Sequence, residues 1–234
     1  MINGAQKVKV CCIKSVEEAN IAIRAGASAL GFVSHMPSGP GVIPETLIAE
    51  IVKNIPPAIS TFLLTSQQDP AAIIEQQKFC RVNTIQLCDS LPLKDYRKLR
   101  IEMPGIAIVQ VIHIIDHIAI DEARTICDEV DAILLDSGNP ALEIKKLGGT
   151  GKVHNWDISK RIVEEVKKPV FLAGGLNVNN ISDAIEHVKP YGIDLCSGVR
   201  RNDKLDENML SSFIAAVWGR HPSMNTKIEP LGLI

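Results

Sequence analysis

The chain has 234 residues, 46% of them hydrophobic, which is ample for a full core and fits either one α/β barrel or two small domains. A formal net charge of -2 and an aromatic content of 4% provide neither a basic field nor a base-stacking surface, which argues against nucleic acid or an anionic membrane as a partner. The longest apolar runs are strand-sized, so no transmembrane helix is expected, and the first seven residues lack the apolar core of a signal peptide.

The six cysteines are Cys11, Cys12, Cys80, Cys88, Cys127 and Cys196. They show no C-x-x-C pairing and no zinc-site spacing, so no metal site is predicted. Several sit in apolar runs, where cysteine packs as a small hydrophobe, and a reduced cytosolic compartment is the simplest expectation.

In chain order, residues 7–12 read as the first strand. Ser15 and Glu18 form a capping box for a helix that runs to about Ala25 and is stopped by Gly26. Residues 29–33 are the second strand, followed by a loop rich in Pro and Gly over 34–44. Pro44 opens a helix to about Lys53. Residues 61–64 form a strand, and Asp69 caps a helix with Pro70 at its first position. A strand over 84–87 and a helix over 93–100 follow. The fifth strand spans 106–112, and 121–130 reads as helix. The sixth strand, 132–135, is a short apolar run without polar alternation, as in a strand buried on both faces. Helix 158–166, strand 170–173, helix 178–187, strand 193–196 and helix 206–217 complete the pattern. Residues 219–234 carry two prolines and little periodicity, and read as an irregular tail.

Strand and helix alternate about eight times, which predicts a single (β/α)8 barrel over 1–218. An open doubly wound sheet is the alternative, weakened because no G-x-G-x-x-G follows the first strand. In a barrel, active groups belong on loops at the C-terminal ends of strands.

Those strand ends carry the chemistry. Asp136 closes the sixth strand, where poor solvation raises a carboxyl pKa toward acid work. The long loop after it holds Gly148, Gly149, Thr150, Gly151 and Lys152, whose free N–H groups and charge suit an anion. The plain alternative is an Asp that only caps a turn. The first strand ends in Cys11 and Cys12, and the pleat should turn one inward and the other against the helices. Gly174 and Gly175 follow the seventh strand, and Ser197 and Gly198 follow the eighth. Turns at these places often bind phosphate in barrels, or simply make tight connections. A thiol facing a carboxyl across the mouth supplies a base and an acid, with an ordinary thiol pKa near ~8.5.

Together these motifs resemble the phosphoribosylanthranilate isomerase family, a barrel family of tryptophan biosynthesis, from Val8 to about Val217. The stretch from Val8 to Cys11 resembles its first-strand motif, and Leu134 to Ser137 the motif with its catalytic aspartate. The 148–152 loop with Trp156, the 172–177 turn, and Asp194 with Ser197, Gly198 and Val199 resemble its substrate and phosphate loops. The resemblance implies an aldose–ketose isomerisation, an Amadori rearrangement of a small phosphorylated sugar amine, without a cofactor. Asp136 is then the acid and Cys11 the base. Gly148, Gly149, Gly151, Lys152, Gly174, Gly175, Asp194, Ser197 and Gly198 hold substrate and phosphate.

Three departures stand out. No arginine occurs from Ser34 to Pro44, where the family holds the substrate carboxylate. Cys88 and Asp89 replace a His-Gly pair, and Cys12 and Arg200 replace a glycine and an acid. Arg200, His113 and His35 are the substitutes for the missing carboxylate clamp. The rival readings are a barrel enzyme for another phosphorylated sugar or amine, and a barrel that binds a phosphometabolite without turnover. A monomer or homodimer is expected.

Overall fold

The computed structural model describes residues 6–142 and 144–219. Eight parallel strands close on themselves: β1 (Lys7–Val10), β2 (Ala29–Val33), β3 (Ser60–Thr65), β4 (Thr84–Leu87), β5 (Ala107–His113), β6 (Ala132–Asp136), β7 (Val170–Leu172) and β8 (Gly192–Leu195). Each pairs with the next, and β8 returns to β1 with Lys7 opposite Gly192 and Lys9 opposite Asp194. Helices α1 (Val16–Ala25), α2 (Glu45–Val52), α3 (Pro70–Cys80), α4 (Leu93–Glu102), α5 (Ile118–Ile126), α6 (Trp156–Glu165), α7 (Ile181–Val188) and α8 (Glu207–Val217) form the outer ring. The predicted (β/α)8 barrel is therefore the fold, and the open sheet is excluded by the β1–β8 pairing.

Local chemistry sets most helix ends. The Ser15 hydroxyl accepts from Glu18 N–H at 3.1 Å, and Gly26 at φ 104° ends α1 in the left-handed region. The capping box is only half formed, because the Glu18 carboxylate turns away to Lys14 N–H, Leu205 N–H and Arg200. Asp69, Asn155 and Asp206 cap α3, α6 and α8 through side-chain oxygens. Helix α5 begins three residues before its predicted start and ends at Ile126, because Asp116 accepts from Ile118 N–H at 2.8 Å and starts the turn from upstream. Helix α7 starts at Ile181, three residues later than expected, after an Asn177-centred turn in which Asn179 N–H donates to the Asn177 side chain. A small hairpin, β9 (Arg200–Arg201) and β10 (Lys204–Leu205), was not foreseen. Of the predicted tail, only Gly219 is among the described residues, and 220–234 lie outside them.

Two apolar layers hold the barrel. The larger packs strands against helices, with Leu30, Phe32, Leu63, Ile85, Ile133 and Phe213 buried in it. The smaller fills the interior, where Phe62 meets Phe171 edge to face at 6.1 Å between ring centres. Gly192 makes room for that ring, since a Cβ there would stand 2.6 Å from Phe171 Cε1. Gly192→Ala should therefore overpack the interior and cost about 1–3 kcal/mol. Calorimetry should show a lower Tm, and an unchanged Tm would mean the ring moves freely.

Candidate active site

One cleft opens at the C-terminal rim and is reached by Cys11, Asp136, Gly148, Gly149, Gly151, Gly174, Gly175, Asp194 and Ser197. These are nine of the residues expected from the sequence to serve one site. The barrel brings them together because each follows or ends a parallel strand pointing to the same rim. Gln86 and Cys88 of the β4 end share the wall.

Cys11 is buried, and its N–H donates to Leu195 O at 2.8 Å, extending the β1–β8 ladder by one step. Cys12 departs from expectation. It does not pack against the helices but turns into the cleft at φ 62°, with its thiol 2.7 Å from Cys196 Sγ and 3.7 Å from Pro40 O. The strand has ended at Val10, so the pleat no longer alternates, and the left-handed backbone swings the side chain back. Contact with the Cys11 thiol, then with Cys196, then burial, push the Cys12 thiol well up, so Cys12 stays protonated.

The Asp136 carboxyl accepts from Ser137 N–H at 2.7 Å. Burial pushes its pKa up, while the Ser137 N–H, His113 and Lys9 pull it back, and the net direction is upward. That suits a carboxyl that must carry a proton. Gly148 is required beside it: φ is +136°, and a Cβ would lie 2.6 Å from Asp136 Oδ2. Gly174, at φ +83°, is crowded by His154 Nδ1, Ser137 Oγ and Asp136 Oδ1 at 2.9, 3.2 and 3.3 Å from its would-be Cβ. His154 is held neutral there, its pKa pushed down to about 4 by burial.

Other expected residues fall elsewhere. Lys152 is exposed and does not line the cleft, although its backbone packs on Gly175. Gly198 lies behind the wall, where a Cβ would meet Leu176 O at 2.2 Å. Asp194 lines the cleft but is paired with Lys9 at 2.9 Å, an anion already committed to a cation. The three substitutes for the carboxylate clamp are all outside the cleft lining. Arg200 is bound to Glu18 at 2.9 Å and to Cys12 O. His113 sets Nε2 3.1 Å from Cys88 O and its other edge against Gly138. His35 is exposed in a separate groove with Val42 and Phe79. Arg200 and His113 are thus engaged by local partners that the sequence does not reveal.

Two cations escaped the sequence reading. Lys9 is wholly buried inside the barrel. Lys145, in the loop after β6, pairs with Asp89, and its carbonyl accepts from Ser38 Oγ at 2.7 Å. The loops after β2 and β6 are thereby tied together over the cleft, with Gly149 packed on Pro40.

Comparison with known proteins follows the same geometry. The family model for N-(5'-phosphoribosyl)anthranilate (PRA) isomerase matches residues 8–216. The chain belongs to the phosphoribosylanthranilate isomerase family. It is 36% identical over 204 residues to N-(5'-phosphoribosyl)anthranilate isomerase 2 of Methanosarcina mazei, covering 87% of this chain and 89% of that one. The Methanocella arvoryzae isomerase is 30% identical over 212 residues, covering 90% and 97%. Among solved structures, phosphoribosylanthranilate isomerase from Thermotoga maritima superposes with a TM-score of 0.79 at 26% identity, covering 92% of this chain and 99% of that one. As a phosphoribosylanthranilate isomerase family member, the protein is an isomerase of tryptophan biosynthesis, an intramolecular oxidoreductase. The Pro40-containing stretch without arginine and the Cys12–Cys196 contact both lie at this cleft.

Proposed function

We propose that the protein isomerises N-(5'-phosphoribosyl)anthranilate to its 1-deoxyribulose 5'-phosphate with Asp136 as general acid and Cys11 as general base. Asp136 donates its proton to the ribose ring oxygen, and the ring opens to a protonated Schiff base. Cys11 removes the C2' proton, and the enolamine formed tautomerises to the ketone. The chemistry is proton transfer alone and calls for no cofactor. The observation that carries this reading is that the two groups enter one cleft from β6 and β1, beside the glycine turns after β7 and β8. Gly174, Gly175 and Ser197 hold the phosphate through N–H groups and the hydroxyl, with Gly149 and Gly151 from the long loop.

The protein acts in the cytoplasm on this small phosphorylated substrate, with no nucleic acid partner, as a monomer or homodimer. Among the described residues, no helix is long and apolar enough to cross a membrane. Two measurements test the reading together. Purified protein should remove the fluorescence of phosphoribosylanthranilate, and inorganic phosphate should shift amide NMR signals of Gly175 and its neighbours at millimolar concentration. No turnover with intact phosphate shifts would redirect the search to another phosphorylated amine, in keeping with the missing arginine. No shifts at the rim would refute the phosphate site.

A further inference from the structure

The interior of the barrel contains one feature that neither the fold nor the cleft requires. Lys9 and Cys11 are two residues apart on one inward face, and the sheet register sets Lys9 directly opposite Asp194 of β8. The ammonium lies 2.9 Å from Asp194 Oδ1 and 5.2 Å from the centre of the Phe62 ring. It has no water-exposed surface. Lys9 Nζ and Cys11 Sγ crowd one point: a Cβ on Gly31 would meet them at 3.1 and 2.9 Å. Glycine at position 31 leaves that space to the ammonium and the thiol. The partner that holds Nζ there is the Asp194 carboxylate.

We propose that Lys9, held by Asp194, is a positioning residue for proton transfer: its ammonium is the countercharge that supports negative charge on Cys11 and Asp136. This rests on the reading of those two groups as base and acid. A buried ion pair is a costly way to fill a barrel, since an apolar pair of similar volume is often as stable or more so. The surrounding layer is apolar, with Val109, Val111, Leu134 and Phe171. The groups that face Lys9 are Asp194 from β8, Cys11 and Cys12 after β1, Cys88 after β4 and Asp136 from β6. His113, from β5, acts on Asp136 from the other side. Burial alone would discharge the ammonium, but Asp194 and then Cys11 hold it charged, with its pKa raised. Without it, the groups that face Lys9 would offer a thiolate at position 11 no cation. Lys9 touches neither reacting carbon nor ring oxygen in this scheme; it acts through the groups that do.

The sign of the effect is fixed. Removing a cation disfavours the anionic form of every acid near it, so the pKa of base and acid alike must rise. Both limbs of the pH profile of kcat/KM therefore move to higher pH, whichever group governs which limb. The experiment compares wild type, Lys9→Met, Lys9→Arg, Asp194→Asn and Cys11→Ser. It records kcat/KM against pH, and the rate at which iodoacetamide alkylates the Cys11 peptide in the free protein, read by mass spectrometry. Lys9→Met should lower kcat/KM at neutral pH at least ~10-fold, with both limbs and the alkylation midpoint raised by about one pH unit. Lys9→Arg should return the limbs toward wild type. Asp194→Asn removes an anion and should move them the opposite way. A merely structural pair would lower Tm in both Lys9→Met and Asp194→Asn and leave the limbs in place. Unmoved limbs in a folded Lys9→Met, beside an inactive Cys11→Ser, would overturn the role of Lys9 alone. Should Lys9→Met fail to fold, unmoved limbs in Asp194→Asn would overturn it. An active Cys11→Ser would instead remove the base on which the inference depends.

Discussion

Cys11→Ser is expected to reduce kcat by at least ~10²-fold while leaving the affinity for inorganic phosphate nearly unchanged. The substitution replaces one sulfur atom by oxygen in a buried position and keeps the backbone bond from its N–H to Leu195 O, so the barrel should close as before. What it removes is basicity. A serine hydroxyl cannot hold a negative charge near neutral pH, whereas a thiol is by far the stronger acid. The turns proposed to hold phosphate, at Gly174, Gly175 and Ser197, follow other strands and are not touched. Cys12→Ser is the control. Cys12 shares the cleft but is kept protonated by its thiol neighbours, so its loss should cost far less than that of Cys11. Steady-state kinetics on both variants, with phosphate inhibition constants, decides the matter. Activity that survives Cys11→Ser and disappears in Cys12→Ser would transfer the role of base to the second cysteine.

Asp136→Asn should match that loss, at least ~10²-fold in kcat, for the opposite reason. The asparagine keeps the oxygen that accepts from Ser137 N–H but has no acidic proton to give the ribose oxygen. Stability should respond differently. Burial, partly offset by Ser137, His113 and Lys9, raises the carboxyl pKa in the folded chain, so at pH above that value the ionised group opposes folding. The cost fades as pH falls through the raised pKa and the group takes up its proton. The amide is neutral at every pH, so Asp136→Asn should melt no lower than the parent at pH 7 and lose its advantage in acid. A variant that is inactive and also markedly less stable at pH 7 would point to a structural carboxylate. A variant that keeps wild-type kcat would remove Asp136 from the mechanism.

How much of this was legible in the sequence depends on the range of the interaction. The strand Ala29–Val33 and the run from Ala132 to Leu135 are apolar throughout because both faces are covered, and helix caps such as Ser15 and Asp69 act within three residues. Both signals are local, and so the barrel could be read. The β9–β10 hairpin was missed because its two-residue strands have no apolar period. Its signal was the Asn202–Asp203 pair, which takes left-handed φ values of 50° and 63° as a two-residue hairpin turn requires. Cys11 and Asp136 were singled out by their place at strand ends, and both reach the cleft. Lys9 was not, because Lys7 and Lys9 alternating with valines look like a solvent-facing row. Lys7 is indeed exposed at the bottom of the barrel, but one step further up the same row is sealed inside. Only the closing register supplies its partner. The turn of Cys12 into the cleft was equally hidden, since alternation predicts direction only while the strand continues.

The pairing of the first strand with the last also bears on how the chain comes to be folded. Lys9 finds Asp194 only when β8 has joined β1, and the same two ends are sewn together one layer further out by Glu18 and Arg200. Until that seam forms, a nascent or truncated chain carries the Lys9 ammonium and the Glu18 carboxylate without these partners, bordering an apolar tube that a bare charge cannot enter cheaply. Contacts this distant in sequence are also the slowest to form, because a long loop must be closed first. Seven strands are therefore not seven-eighths of a stable barrel. The final strand converts two stranded charges into bridges, and assembly is pressed toward all-or-none closure at the seam.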